Sequence, residues 1–290
     1  MDKPTLLYQY QNGNCHVRLF SDGTKDRFTL DDEFRPVFPE SIDLKITDYC
    51  DASCPMCHEN SSINGIHANL TAPFLSTLHE GTELALGGGN PLAHPDLEPF
   101  LMRLKEQGIV ANLTINERHL LSHKAFVQSL LERKLIYGLG VSICLYQEET
   151  FSFLANCPNA VCHFVLGITD MADLCRVPQG LKVLFLGYKR FGRGASYYSD
   201  AVEARITEVR ERFKELLPHF SHIAFDNLAL TQLEVQKHLP KHIYDRFFMG
   251  EDGRFTMYVD LVKKEYAVSS TSKERYPLKD DIAAMFASLQ

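Results

Sequence analysis

No stretch of this 290-residue chain is apolar for long enough to cross a membrane. Its opening residues, MDKPTLLYQY, lack a basic segment followed by an apolar core, so no secretory signal is expected. Basic residues are not in excess: 30 Lys and Arg against 37 Asp and Glu leave a net charge of −7, which argues against a broad phosphate-binding surface and so against nucleic acid as a partner. Neither internal repeats nor low-complexity tracts are present, which sets aside solenoids and disordered scaffolds. No cysteine follows Cys175, so a Cys-rich C-terminal module is not expected. These absences point to a globular cytoplasmic protein with reduced thiols. The triplets at Asn60, Asn69 and Asn112 are then chance matches to a glycosylation signal.

What is present is ordinary in bulk and ordered in pattern. Hydrophobic residues make up 45% and charged residues 23%, enough for a sizeable core. Runs at 6–10 and 15–20, joined by QNGN and followed by Asp22-Gly23, predict an N-terminal β-meander over 1–38. From 39 to 230, strand-like and helix-like segments alternate. Strands are expected at 42–47, 83–89, 109–115, 137–143, 161–168 and 181–187. Helices are expected at 72–80, 96–107, 122–133, 147–155, near Met171, and at 201–217. Six such units predict an α/β fold built on a parallel sheet. A further strand at 222–227 and helix at 228–239 follow. An extension over 231–290 then carries a β-hairpin centred on Lys263-Lys264 and a last helix at 280–289.

Residues 44–60, LKITDYCDASCPMCHEN, set three cysteines, Cys50, Cys54 and Cys57, in a CxxxCxxC loop directly behind the first core strand. Three thiolates this close can wrap one metal centre. Ordinary iron–sulfur clusters take four Cys, and structural zinc sites fill four positions, so a set of three leaves one position open. A zinc site completed by His58 or His67 is the competing reading of the same residues.

This loop resembles the defining motif of the radical S-adenosylmethionine (SAM) enzymes. The resemblance implies a partial (βα)6 TIM-like barrel over 39–230 with β additions at both ends. It also implies a [4Fe-4S] cluster on Cys50, Cys54 and Cys57, with SAM chelated at the open iron and cleaved to a 5′-deoxyadenosyl radical that abstracts hydrogen from a substrate. Met56 stands where the family commonly has an aromatic near the adenine, and a thioether can pack on a purine. GGGNP at 87–91 is similar to the family's GGEP stretch, which implies that Gly88, Gly89 and Asn90 bind the SAM amino group; Asn90 replaces the common Glu and loses its charge. Ser142, ending the fourth strand, matches a family position that contacts the ribose or carboxylate; a satisfied core hydroxyl is the plain alternative.

The resemblance further implies a peptide, protein or small-metabolite substrate, a reductant such as flavodoxin or ferredoxin, and sensitivity to oxygen. Two alternatives remain at this level: an activase that generates a radical on a partner enzyme, and a non-catalytic zinc or iron–sulfur module on a barrel scaffold. The loop at 187–194, with Lys189, Arg190 and Arg193 among glycines, reads as surface. His58 and Glu59 read as solvated loop positions, and Asp226 as a helix cap. Cys144 and Cys162 fall in strands. With Cys15, Cys157 and Cys175 they are expected to be plain thiols rather than ligands.

Overall fold

The computed structural model describes residues 3–290. Strands β1 (Leu6–Asn12), β2 (Cys15–Phe20) and β3 (Lys25–Phe28) form an antiparallel sheet of their own. The Asn12–Cys15 turn and Gly23 (φ 85°) supply the expected reversals. Buried Asn12 ties this sheet to the next segment, donating to the Phe38 carbonyl at 2.8 Å and accepting from the Val37 amide at 2.8 Å.

All other strands belong to one sheet of ten. Strands β4 (Ser41–Thr47), β5 (Glu83–Gly88), β6 (Val110–Asn116), β7 (Gly138–Ser142), β8 (Ala160–Val165), β9 (Lys182–Leu186) and β10 (His222–Phe225) lie in sequence order and are parallel. On the other side of β4, strand β11 (Thr256–Asp260) also runs parallel, and β12 (Glu265–Ala267) and β13 (Tyr276–Pro277) continue antiparallel. The C-terminal hairpin thus extends the main sheet rather than standing apart, with Lys264 (φ 58°) in its turn. Among the described residues, no helix is long and apolar enough to cross a membrane.

Alternation along these strands sorts the two faces. Ile42, Leu44, Ile46, Leu84, Leu86, Leu113, Ile115, Leu139 and Val141 are all fully buried on one face. Helices α1 (Leu97–Glu106), α2 (Glu117–Glu132), α3 (Glu148–Ala155) and α4 (Met171–Arg176) follow their strands, then α5 (Arg193–Tyr197) and α6 (Asp200–Leu216). Val202, Ile206, Val209, Phe213 and Leu216 form the buried stripe of α6, each contributing roughly 1.5–3 kcal/mol by leaving water. The opposite face carries Asp43, Lys45, Ala85, Gly87, Asn112, Thr114, Asn116, Gly138, Gly140 and Ser142, which lie side by side in register. Small and polar residues leave room on that face.

Several expected boundaries differ. The helix expected at 72–80 is one 3-10 turn, Pro73–Thr77. Ser76 and Thr77 hydroxyls bond back to the Pro73 and Phe74 carbonyls at 2.7 and 2.8 Å, competing with the main-chain donors that would extend it. The expected start of α2 at 122 moves to Glu117, because the Asn116 side chain caps it by accepting from the Arg118 amide at 2.9 Å. The helix expected at 228–239 is two pieces, α7 (Asn227–Gln232) and α8 (Val235–His238), interrupted at Glu234, which sits at φ 50°. Asp226 does cap α7, accepting from Ala229 at 2.7 Å. A short helix, α9 (Lys241–Phe247), precedes β11. The final helix, α10 (Ile282–Ala287), docks on the 3-10 turn through the Ile282 amide and Thr77 hydroxyl at 3.0 Å.

Candidate metal centre

The loop leaving β4 is clamped at its base before it reaches the cysteines. The Asp48 amide donates to the Ile66 carbonyl at 2.9 Å, and the Cys50 amide donates to the Ser62 carbonyl at 2.9 Å. From the neighbouring strand, the Gly89 amide donates to Thr47 at 2.8 Å and the Asn90 amide to Tyr49 at 2.6 Å. The three cysteines and the Gly88–Asn90 turn are therefore brought together. Within the loop, Ser53 and Asn60 adopt left-handed φ of 52° and 56°, which turns the chain back on either side of Cys54 and Cys57.

Cys50, Cys54 and Cys57 are free and half-buried. Burial and the neighbouring thiols raise the Cys50 thiol, and burial with Cys144 and Cys57 raises Cys54, so both favour the neutral thiol unless a cation is bound beside them. Among the described residues, the one group of ligand atoms lying within 4.8 Å of one another is Cys50, Asp51 and His119; the three sulfurs are spread wider. Thiolates on one tetrahedral zinc sit about 3.8 Å apart, from the zinc–sulfur bond length. Each histidine of the zinc reading has one ring nitrogen already engaged: His67 Nδ1 pairs with Thr47 Oγ1 at 2.9 Å, and His58 Nε2 with Glu59 Oε1 at 3.3 Å.

The remaining expected site residues have plain placements. Asn90 is buried, accepting from the Leu92 amide at 3.2 Å and donating to Asp51 Oδ1 at 3.3 Å, so its side-chain carbonyl is already engaged by its own turn. Met56 packs against the core. Ser142 ends β7 beside Asn116 and His163 in register. Asn116 Nδ2 lies 3.9 Å from Cys54 Sγ, while Cys144 donates to Asn116 Oδ1 at 3.4 Å. Cys144 is thus just past β7 rather than in a strand. Glu117 fixes the loop that carries it, accepting from the amides of Cys144, Leu145, Tyr146 and Gln147 at 2.5–3.1 Å.

Two readings of the sequence are corrected here. The 187–194 loop is not a free surface: the Arg193 amide donates to Cys57 O at 3.0 Å, and its guanidinium donates to the carbonyls of Cys54 and Ser61 at 3.1 and 3.0 Å. A Cβ on Gly192 would meet the His58 carbonyl at 2.5 Å, so glycine lets this strap lie flat on the loop. Glu59 is not solvated either. Lys45, only 2% exposed, reaches Asp48 and Glu59 at 2.6 Å each and Asp260 at 3.2 Å. Tyr258 donates to Glu59 Oε1 at 3.2 Å. Burial alone would raise the Glu59 carboxyl, but His58 and the Lys45 ammonium overcome it and hold it far below the usual carboxylate range. A lysine inside the apolar run IDLKIT was the available signal for this cluster.

Glycine at 89 is a spatial requirement, because a Cβ there would run into the Tyr49 carbonyl and backbone. Gly89→Ala is expected to cost about 1–3 kcal/mol in urea denaturation, as overpacking does. A Cβ at Gly87 meets only the Thr114 Cβ at 3.9 Å, so Gly87→Ala should leave the fold intact.

His163 lies on the same open face, its ring filling the space over Gly140, and its buried Nδ1 has no partner. Burial lowers its pKa from 6.5 to about 4. Its contribution to stability is complete above pH 6.5 and is lost as pH falls toward 4, because the unfolded chain then binds the proton more readily. Between pH 7 and 4 the wild type should lose roughly 3 kcal/mol more than His163→Gln in chemical denaturation, at 1.36 kcal/mol per unit.

No family model and no curated protein matches this sequence. Solved structures do match its fold. SuiB of Streptococcus suis bound to precursor peptide SuiA superposes with a TM-score of 0.58 at 14% identity, covering 87% of this chain and 65% of that one. SuiB bound to S-adenosylmethionine gives 0.55 at 13% identity, covering 83% and 64%. The chain thus spans just under two thirds of the length of SuiB. This chain shares the α/β fold of SuiB, a protein seen with S-adenosylmethionine and with a precursor peptide.

Proposed function

We propose that this chain is a radical SAM enzyme that abstracts hydrogen from a peptide or small metabolite. The observation that carries the reading is the gathering of Cys50, Cys54 and Cys57 in the β4 loop, hydrogen-bonded to the glycine turn that ends β5. Fold likeness to SuiB, seen with SAM and with a precursor peptide, supports it and favours a peptide substrate. On this reading the open face of the parallel sheet is the inner wall of a partial barrel, with 1–38 and 231–290 added at its ends.

The three free cysteines would hold a [4Fe-4S] cluster, a set of three thiolates leaving its fourth position open. When bound, that cluster supplies the electron that cleaves SAM to 5′-deoxyadenosyl radical and methionine. The chain's own residues prepare the site. Gly88 and Gly89 let the β5 end lie directly against the cysteine loop, where their backbone would meet the SAM amino group, and Asn90 shapes the turn through Leu92 and Asp51. Met56 offers a thioether to the adenine, and Ser142 a hydroxyl to the ribose or carboxylate. Arg193 occupies the Cys54 and Ser61 carbonyls, fixing the loop from the strap that follows β9. Electrons come from a small reductant such as flavodoxin or ferredoxin.

The test is anaerobic: reconstitute the protein with iron and sulfide, add SAM and dithionite, and quantify 5′-deoxyadenosine. Formation above a protein-free control supports the reading; a reconstituted cluster whose spectrum is unmoved by SAM overturns it.

A further inference from the structure

A cavity of about 210 Å³ opens between the end of the cysteine loop and the C-terminal strands. His58, Glu59, Tyr258, Lys263, Glu265 and Arg275 are among its walls. Tyr258 and Asp260 lie in register with Asp43 and Lys45, so the cavity belongs to the open face of the main sheet. Its charges are unevenly engaged. Glu59 and Asp260 are both held by Lys45, and Glu59 also by the Tyr258 hydroxyl. Asp260 accepts the Val262 and Lys263 amides at 2.9 Å each.

Glu265, the third wall carboxylate, has one loose charged partner, and the wall cations are also incompletely engaged. Arg275 is fixed from three sides: Nη2 donates to the Ser270 carbonyl at 2.8 Å, Nε lies 3.9 Å from Glu265, and the guanidinium sits 5.0 Å over the Tyr258 ring. Its other terminal nitrogen, Nη1, is buried with no hydrogen-bond partner. A buried guanidinium donor without an acceptor is costly, and a carboxylate is the group its fork matches best. Lys263 is exposed at the edge of the cavity, and among the described residues its ammonium has no ion-pair or hydrogen-bond partner and is free to meet a ligand. Lys189, bonded to Ser270 Oγ at 2.9 Å, adds a third positive charge behind this wall.

We infer that this cavity is a carboxylate subsite, in which Arg275 Nη1 and Lys263 receive an acidic side chain or the C-terminal carboxylate of the substrate. That the ligand is a substrate rests on the proposed function; that it is a carboxylate rests on the cavity alone. Because the wall continues directly from Cys57, an anchored carboxylate would set which neighbouring atom reaches the reaction centre.

The experiment uses the full chain as purified, without SAM or reductant, so failure of the radical chemistry leaves it unaffected. The Arg275 Nε–H resonance is followed by NMR during titration with N-acetylglutamate N-methylamide, with N-acetylglycine for a chain terminus, and with N-acetylglutamine N-methylamide as the uncharged control. At least one carboxylate is expected to bind tenfold or more tightly than the control, and the stronger of the two identifies the source. Lys263→Gln should weaken that binding about threefold. Arg275→Lys, which keeps the charge and loses the fork, should abolish the preference at an unchanged melting temperature; ligand-observed NMR reads this variant. Equal binding of acid and amide by the wild type, or an undiminished preference in Arg275→Lys, overturns the inference.

Discussion

Cys54→Ala should leave the protein folded but unable to retain iron and sulfide on reconstitution, with 5′-deoxyadenosine at background. Of the three cysteines, Cys54 is the most closely held from outside the loop. Asn116 approaches its sulfur and Arg193 donates to its carbonyl, while within the loop the Cys57 amide donates to that same carbonyl at 3.3 Å. Losing one of three thiolates leaves two, which is too few for a cubane that already lacks its fourth protein ligand. Cys144→Ala is the necessary comparison, because Cys144 reaches Cys54 through Asn116. If Cys144 is only a neighbour, its variant keeps wild-type iron content. Iron loss in Cys144→Ala equal to that in Cys54→Ala would make it a fourth ligand and remove the open coordination position on which the proposed SAM binding depends. Iron and sulfide assay, with the visible absorption of the cluster, separates these outcomes before any activity is measured.

Much of this architecture was legible because it is local. Ile42, Leu44 and Ile46 alternate, the Asn-Gly and Asp-Gly turns stand between strand-like runs, and the CxxxCxxC spacing is contiguous. What could not be read depends on residues far apart in the chain. Arg193 looks like any arginine in a glycine-rich loop until β9 places it over Cys54, 139 residues earlier. The expected helix at 72–80 failed for a short-range reason, since hydroxyls at Ser76 and Thr77 offer their own hydrogen bonds to the turn. The C-terminal hairpin was visible as a hairpin, but its partner was not. Pairing of β11 with β4 takes Asp260 to Lys45, and no local pattern announces a contact across more than two hundred residues.

That contact underlies the second large effect. Lys45→Met should destabilise the protein by about 3–5 kcal/mol at neutral pH, because it strips the counter-charge from Asp48, Glu59 and Asp260 while leaving them in place. Asp48 precedes Cys50 and Glu59 follows Cys57, so Lys45 joins the two ends of the cysteine loop and fastens both to β11. The variant should therefore also lose iron in proportion to its loosened loop, even though no cluster ligand is altered. The pH dependence distinguishes lost ion pairing from lost packing. In the wild type the Glu59 carboxyl is held below its ordinary 4.5, so its stabilisation is complete above that pH and declines as acid approaches the folded value. In Lys45→Met the Glu59 carboxyl loses its lysine partner while burial still raises it, so acid relieves it. The deficit should be largest at pH 7–8 and shrink toward pH 5. A deficit independent of pH would mean that Lys45 acts through its aliphatic stem alone. Adding Glu59→Gln to the variant should recover part of the loss, because it removes one of the stranded charges without changing its volume; no recovery would place the cost on Asp48 and Asp260 instead.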